Sequence, residues 1–437
     1  MILDAYLQDP ETEALISDAA LAGAMLEVEV ALARVQARAD IIPTQAGACI
    51  AEVTAGLVVD LPALVQGTIH DGVPIIALLA QLRTAVGHAH GGYVHWGATS
   101  QDIVDTAMVL ILRRVAALFS ARLDHLIRQW AALTGTHRGT VMAARTRSQQ
   151  AVPTTFGLKV AGWLAPLLRH RLRLQALSAN SFALQFGGAG GTLAALGGQG
   201  HALAQDLAAE LDLASPPLPW HNQRDGIIEL ANWLAMLSGS LGKTAGDVLL
   251  LAQSEVGELQ ISGAGGSSAM PQKANPVLAE ALVALARHNA GLIGSLHQAA
   301  PHLAERDGAA WTLEWLTLPQ MVRTTGASLQ HSLQMAAHLQ INATRMADNV
   351  AATNGMLLAE AAVYALAGHM SKSAAQDLVK NACLDAAAAG QDLITVLEQR
   401  TPAPIDWLAL RDPANYLGAT EQFIDAVLGA VPPELAG

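Results

Sequence analysis

The chain has 437 residues, of which 52% are hydrophobic and only 4% aromatic, and its formal charge is −12. An apolar mass made of alanine, leucine and valine suits closely packed helices better than strands, so composition points to an all-α protein. The acidic balance and dispersed basic residues exclude a basic nucleic-acid-binding face, and any anionic ligand has to be met by a local site.

Cys49 and Cys383 lie far apart, and the start MILDAYLQDPE lacks the basic-then-apolar profile of a secretory signal, so a reduced, cytoplasmic setting is expected. The mean hydropathy of +0.32 raises the question of a membrane. Residues 174–205 carry no formal charge, but they include LQFGGAGGTLAALGGQG, whose seven glycines and polar residues read as a turn between helices. No membrane partner is expected.

Along the chain, SDAALAGAMLEVEVALARVQARA over 17–39 spaces apolar residues by three and four, with Ser17 and Asp18 as caps, and predicts a helix. HWGATSQDIVDTA then changes at Thr99 from loop to helical pattern. Thr99 to Asp102 fits a capping box opening a helix over 100–133, and its spare N–H groups and hydroxyls make an anion site. A good cap alone explains the same residues, and His95 alone is more simply a structural histidine. RTRSQQAVPTTFGLKVAG repeats the layout: Arg145, Thr146 and Arg147 approach Pro153-Thr154-Thr155, which opens a helix over 155–183. Pairing with surface acids is the ordinary alternative for both arginines.

Residues 225–261 contain no proline and predict one helix of about 55 Å, longer than a compact core needs, which favours packing against a partner chain. The loop GAGGSSAMPQKANPV follows. Asn275 is a natural N-cap and Pro276 a natural first residue for a helix over 276–298, and Lys273 immediately precedes them. Gly263, Gly265 and Gly266 permit backbone shapes that bring the serines near a ligand, although a flexible connection would also use glycine and serine. A last long helix is expected over 320–347. Arg306, in ERDGAAW, reads equally as a site residue or as half of an ion pair. Three regions result: an N-terminal helical domain over 1–96, a long-helix bundle over 97–347 and a C-terminal cap over 348–437.

No HExxH spacing, paired-cysteine site, P-loop, dinucleotide fingerprint or GxSxG elbow is found, so neither metal nor organic cofactor is expected. Acid–base chemistry on an anionic substrate remains.

The three segments together resemble the fumarase/aspartase superfamily, whose shared regions read close to HxGxTSxD, a threonine-containing stretch leading into PTTFG, and GSSxMPxKxNP. The last stands here as Gly266-Ser-Ser-Ala-Met-Pro-Gln-Lys-Ala-Asn-Pro276, and the likeness runs from about Ser17 to about Glu360. The resemblance implies a three-domain all-α fold assembling into a homotetramer on a twenty-helix core, with each active site shared among three subunits and a small polycarboxylate as substrate. It implies that Ser267 is the general base, with Lys273 and Asn275 binding the carboxylate that gains enolate character. The other candidate substrate contacts are His95, Thr99, Ser100, Gln101, Arg145, Thr146, Arg147 and Arg306. HWGATSQDIVDTA, FGLKVAGW, FGGAGGT and ERDGAAWTLEW most resemble the branch that lactonises a tricarboxylate diene. Adenylosuccinate lyases are the runner-up, but Thr146 is followed here by Arg147 where they carry histidine, and their N-terminal arginine–tyrosine phosphate contact is missing. A relative recruited as a lens protein makes a non-enzymatic helical bundle a second class; the retained Ser267 and Lys273 argue against it.

Overall fold

The structure, a computed structural model, describes residues 2–262, 265, 266, 270 and 273–435. It is all-α, with a few two-stranded ladders. Helix α1 (Asp18–Arg38) starts as its sequence dictates: the Ser17 hydroxyl accepts from Ala20 N at 3.2 Å, and Arg38 lies in the last turn, where the helix dipole favours a cation.

Five long helices follow. Helix α2 is Ser100–Thr136. A hairpin of β1 (Val141–Thr146) and β2 (Gln149–Thr155) leads into α3 (Phe156–Asn180), and α4 is Asp225–Leu251. Short strands β3 (Leu259–Ile261), β4 (Gly265–Gly266) and β5 (Ala274–Asn275) precede α5 (Val277–Gln298) and α6 (Gly308–His338). After β6 (Leu339–Ile341), the helices α7 (Ala359–Ala367), α8 (Lys372–Ala389) and α9 (Leu393–Arg400) are the main elements of the C-terminal part.

Two expected helices are corrected. The helix predicted over 225–261 ends at Leu251, so at about 1.5 Å per residue α4 is about 40 Å long. Beyond it the chain turns, with Gly257 at φ +63, and enters β3. The helix predicted over 320–347 begins earlier, at Gly308, runs through Pro319 and stops at His338. It stops because β6 pairs antiparallel with β3: two Leu-Gln-Ile tripeptides lie side by side, Leu259 opposite Ile341 and Ile261 opposite Leu339.

The chain forms two compact units. Unit one comprises residues 1–122, 170–239 and 284–330, and unit two 123–169, 240–283 and 331–437. The division falls inside each of α2 to α6. In unit one, Asn289 of α5 donates to Ser238 Oγ of α4 at 2.8 Å and to Thr325 Oγ1 of α6 at 2.9 Å, fixing the mutual register of three apolar helices. In unit two, Trp163 packs edge-on against Trp130 and Phe156 and donates its indole N–H to Asp247 at 2.7 Å. The C-terminal helices bury a stripe of small residues, Ala375, Val379, Ala382 and Ala386, against Leu393, Ile394 and Leu397. Among the described residues, α4 and α5 are long and apolar enough by length and hydropathy to cross a membrane.

The N-terminal segment is held to unit one by Arg122, which is buried with Asp9 and bonds both of its carboxylate oxygens, together with Glu11 at 2.5 Å. Burial alone would raise the Asp9 pKa, but the bonds from Arg122 and Thr12 hold it below the usual carboxylate range. The sign for stability follows: a depressed folded pKa contributes above the unfolded value of about 3.9 and is lost as pH falls through the folded value. Arg122→Met, which leaves the buried carboxylate without its cation, is expected to reduce unfolding free energy by about 3–5 kcal/mol at neutral pH. Urea melts at pH 7 and pH 3 should show that deficit shrinking in acid.

Candidate functional site

The start of α2 is built in unit one. Asp102 N bonds to Thr99 O at 3.0 Å, and the Asp102 carboxylate reaches back to Thr99 N at 3.0 Å, so the reciprocal half of the expected capping box is present. The Thr99 hydroxyl serves another purpose: it accepts from Arg306 Nη1 at 2.5 Å. Ser100 is partly exposed beside it. His95 stands at φ +67, its Nδ1 2.6 Å from the buried carboxylate of Glu29. Gln101 faces inward, 2% exposed, and gives its amide N–H groups to Asp105 at 3.1 Å and to His221 O at 2.9 Å.

Beneath these residues lies a cluster of buried charges. Arg224, immediately before α4, bridges Asp105 of α2 at 2.7 Å and Glu314 of α6 at 2.5 Å, and its guanidinium lies 4.6 Å from the centroid of the Trp220 ring. Trp311 completes the shell by donating to Asp105 at 2.8 Å. Although burial favours the neutral form, the two carboxylates push the Arg224 pKa up. Burial raises that of Glu314 against the pull of Arg224.

In unit two, the sequence pattern read as one polar approach to a helix is a β-hairpin. Thr146 pairs with Gln149, leaving Arg147 and Ser148 as the turn, at φ 47 and φ 65. Both residues are left-handed, as in a two-residue primed turn, but neither is the glycine or asparagine that such a turn prefers. The helix expected from 155 therefore begins at Phe156, with the Thr155 hydroxyl accepting from Leu158 N at 3.1 Å; Pro153 and Thr154 belong to β2. Arg145 forms a fork with the buried Glu258, at 2.9 and 2.7 Å, and Asn349 adds a third bond to that carboxylate at 2.8 Å.

At the loop following β3, Gly265 pairs with Asn275 and Gly266 with Ala274, a two-rung ladder that closes the base of the segment between them. Asn275 is thus in a strand and not the cap, and α5 begins at Val277, with Pro276 O receiving the N–H groups of Ala279 and Glu280. Lys273 is exposed, and its backbone N–H turns back to Met270 O at 3.0 Å. Ser267 and Ser268 lie outside the described residues.

The structure thus gathers His95, Thr99, Ser100, Gln101 and Arg306 in unit one. Arg145, Thr146, Arg147, Lys273 and Asn275 belong to unit two, on the hairpin and the ladder. It adds residues that sequence reasoning passed over. One is Glu258, whose pairing with Arg145 leaves no local trace. Another is Lys159, in the first turn of α3: burial holds its ammonium below the usual lysine range, Asp247 opposing and Lys243 and Arg145 reinforcing the shift. A third is His221, whose Nε2 lies 2.8 Å from Asp102. A polar cluster, WHNQRD, was the only signal of it in the sequence.

Replacing Arg145 with lysine exchanges a planar fork for a point charge, so one bond to the buried Glu258 is lost. We expect Arg145→Lys to lower stability by about 1–3 kcal/mol in chemical denaturation. An unchanged melt would show that the fork contributes nothing to the fold.

Comparison with known proteins gives a consistent result. A family model described as a lyase matches residues 5–291. A 3-carboxy-cis,cis-muconate cycloisomerase of Pseudomonas aeruginosa is 40% identical, the match covering 98% of this chain and 95% of the relative. Another of that name, from Bradyrhizobium diazoefficiens, is 41% identical over 93% of each chain. The crystal structure of the 3-carboxy-cis,cis-muconate lactonizing enzyme of Pseudomonas putida superposes with a TM-score of 0.93 at 35% identity, over 100% of both chains.

Proposed function

The chain belongs to the lyase family, and from that premise we propose that it is a cycloisomerase converting 3-carboxy-cis,cis-muconate to 4-carboxymuconolactone. The observation that carries this reading is the 40% identity over nearly the whole chain to a relative of that name. In the reaction a carboxylate oxygen adds across a carbon–carbon double bond. The new C–O bond takes the π electrons onto the carbon α to a second carboxylate, and a proton delivered there completes the lactone. In the reverse direction the same proton is abstracted and the β-carboxylate leaves.

Ser267 is assigned the proton transfer, and Lys273 and Asn275 the carboxylate that acquires enolate character. A carbon acid beside a carboxylate is so weak that a serine can exchange its proton only where fixed positive dipoles await the charge. The helix start at Thr99 and Ser100, with Arg306 bonded to the Thr99 hydroxyl, is suited to a second carboxylate. Arg147 stands where adenylosuccinate lyases carry a histidine. Lactonisation has less need of an acid there, because a carboxylate departs without being protonated.

The working form is assigned as a homotetramer with each site shared among three subunits, in the cytoplasm, without metal, organic cofactor, nucleic acid or membrane. In its support, only 28% of the residues in the most apolar stretch of α5 are buried within one chain, an incomplete cover that a second copy of the same bundle would extend.

Purified protein is expected to consume 3-carboxy-cis,cis-muconate with loss of diene absorbance and without sensitivity to a chelator. Turnover of adenylosuccinate in its place would reject the assignment. Ser267→Ala should lower kcat by at least roughly 10²-fold while retaining the wild-type circular dichroism. Near-normal kcat in the folded variant would move the base elsewhere.

A further inference from the structure

Asp102 has no place among the residues read as touching a ligand, and its side chain is completely buried. It nevertheless accepts five hydrogen bonds. Its Oδ1 receives Gly187 N at 2.9 Å, Gln185 Nε2 at 3.3 Å and His221 Nε2 at 2.8 Å. Its Oδ2 receives Gly188 N at 2.9 Å and Thr99 N at 3.0 Å. The donors come from three separate stretches: the loop before α2, the glycine turn after α3, and the segment before α4. For Nε2 to donate, His221 must carry a proton on that nitrogen, so the carboxylate also sets the state of the ring. Gly188 is held at φ +67, and a Cβ there would come 3.2 Å from Gly97 O, so two of the three stretches touch backbone to backbone.

Arg306 spans the same two stretches. Its Nη1 donates to Thr99 Oγ1 at 2.5 Å, and lies 3.5 Å from Ala189 O, a weaker contact. Thr99 is pinned through its backbone N–H by Asp102, and Ala189 directly follows the pinned Gly188. Both acceptors that aim the exposed guanidinium are therefore fixed by one buried carboxylate. Its remaining N–H groups are available to a carboxylate in the planar fork that arginine offers.

We propose that Asp102 is a positioning residue for substrate binding. By tying the loop before α2 to the glycine turn and to His221, it fixes Thr99 and Ala189, and so holds Arg306 oriented to receive a substrate carboxylate. The inference rests on the reading of Arg306 and Thr99 as carboxylate contacts. It goes beyond that reading by naming the group, remote from substrate, that sets their geometry. A preorganised arginine pays less conformational entropy on binding, so the effect belongs mainly to affinity.

Asp102→Asn tests this. The amide presents one acceptor oxygen and one donor nitrogen, so two or three of the five N–H groups meet another donor. In steady-state assays on 3-carboxy-cis,cis-muconate, we expect KM to rise about tenfold or more and kcat to fall by less than about threefold. In the Arg306→Ala background, Asp102→Asn should change KM by less than about twofold, since there is no guanidinium left to aim. If Asp102→Asn does not fold, Gly188→Ala keeps the carboxylate while straining the φ +67 turn, and the same KM pattern is expected. Equal factors in the two backgrounds, or a lowered melting temperature with KM unchanged, overturn the positioning role alone. An Arg306→Ala variant with wild-type KM overturns the reading of Arg306 and this proposal together, and absence of turnover by the wild-type protein does so through the proposed function.

Discussion

A charge removed from water has to be answered by its neighbours, and in a chain with only 14% charged residues this constraint governs how the long helices are held. Arg224 is the centre of it. The residue immediately before α4 grips Asp105 on α2 and Glu314 on α6, so one guanidinium registers three helices in unit one. Apolar contacts among alanines and leucines can slide by a turn at little penalty, whereas displacing this arginine would strand two carboxylates. Asn289 on α5, bonded to Ser238 on α4 and Thr325 on α6, registers a different set of three helices with neutral groups.

The same constraint separates the polar residues that meet buried partners from those that stay exposed. Gln101 and Arg145, both read from sequence as substrate contacts, meet partners inside the fold: the Gln101 amide N–H groups go to Asp105 and His221 O, and the two terminal nitrogens of Arg145 go to Glu258. Lys273 is exposed, and Arg306 uses a single terminal nitrogen to hold itself against Thr99 and Ala189. The division follows from where carboxylates are buried: Glu258 claims Arg145, while Arg306 is held by a hydroxyl and a carbonyl and keeps its charge uncompensated by them.

The helices were legible in the sequence because their information is local. Ser17 caps α1, and the apolar periodicity located four of the five long helices within a residue or two of their observed starts. What was not legible depended on residues distant in the chain. The Leu-Gln-Ile segments at 259–261 and 339–341 continue helical patterns and become strands only by pairing with each other. The helix expected from 320 starts at Gly308 instead, because α6 runs through Pro319. The hairpin at Arg147 and Ser148 was hidden because its turn lacks the residues that advertise one. The sequence marked three motifs as a candidate site, but Asp102 in the first of them, which accepts five bonds, looked like a helix cap, and the partner of Arg145 lies 113 residues away.

The backbone itself gives an independent indication of where strain is tolerated. Eight described residues other than glycine have φ between 47 and 67. Asp40, His95, Asp212 and Asn354 are types that adopt this region comparatively readily, which leaves Arg147, Ser148, Leu193 and Ala304. For such side chains the conformation costs about 1–2 kcal/mol each. None of these four lies in a segment remote from the motifs: two form the hairpin tip after Thr146, one ends the glycine turn pinned by Asp102, and one stands two residues before Arg306. Strain of this kind persists only where surrounding bonds over-determine the backbone. At Leu193, the bond from its N–H to Gly187 O at 3.0 Å closes the turn whose other face is held by Asp102. At Ala304, the carbonyl is held by the Asn222 side chain at 2.6 Å, one residue from His221. The buried acid at the start of α2 and the strained backbone around Arg306 are thus parts of one arrangement: fixed donors hold costly conformations in place, and in the function proposed above those conformations are what would present an arginine and a helix start to a substrate carboxylate.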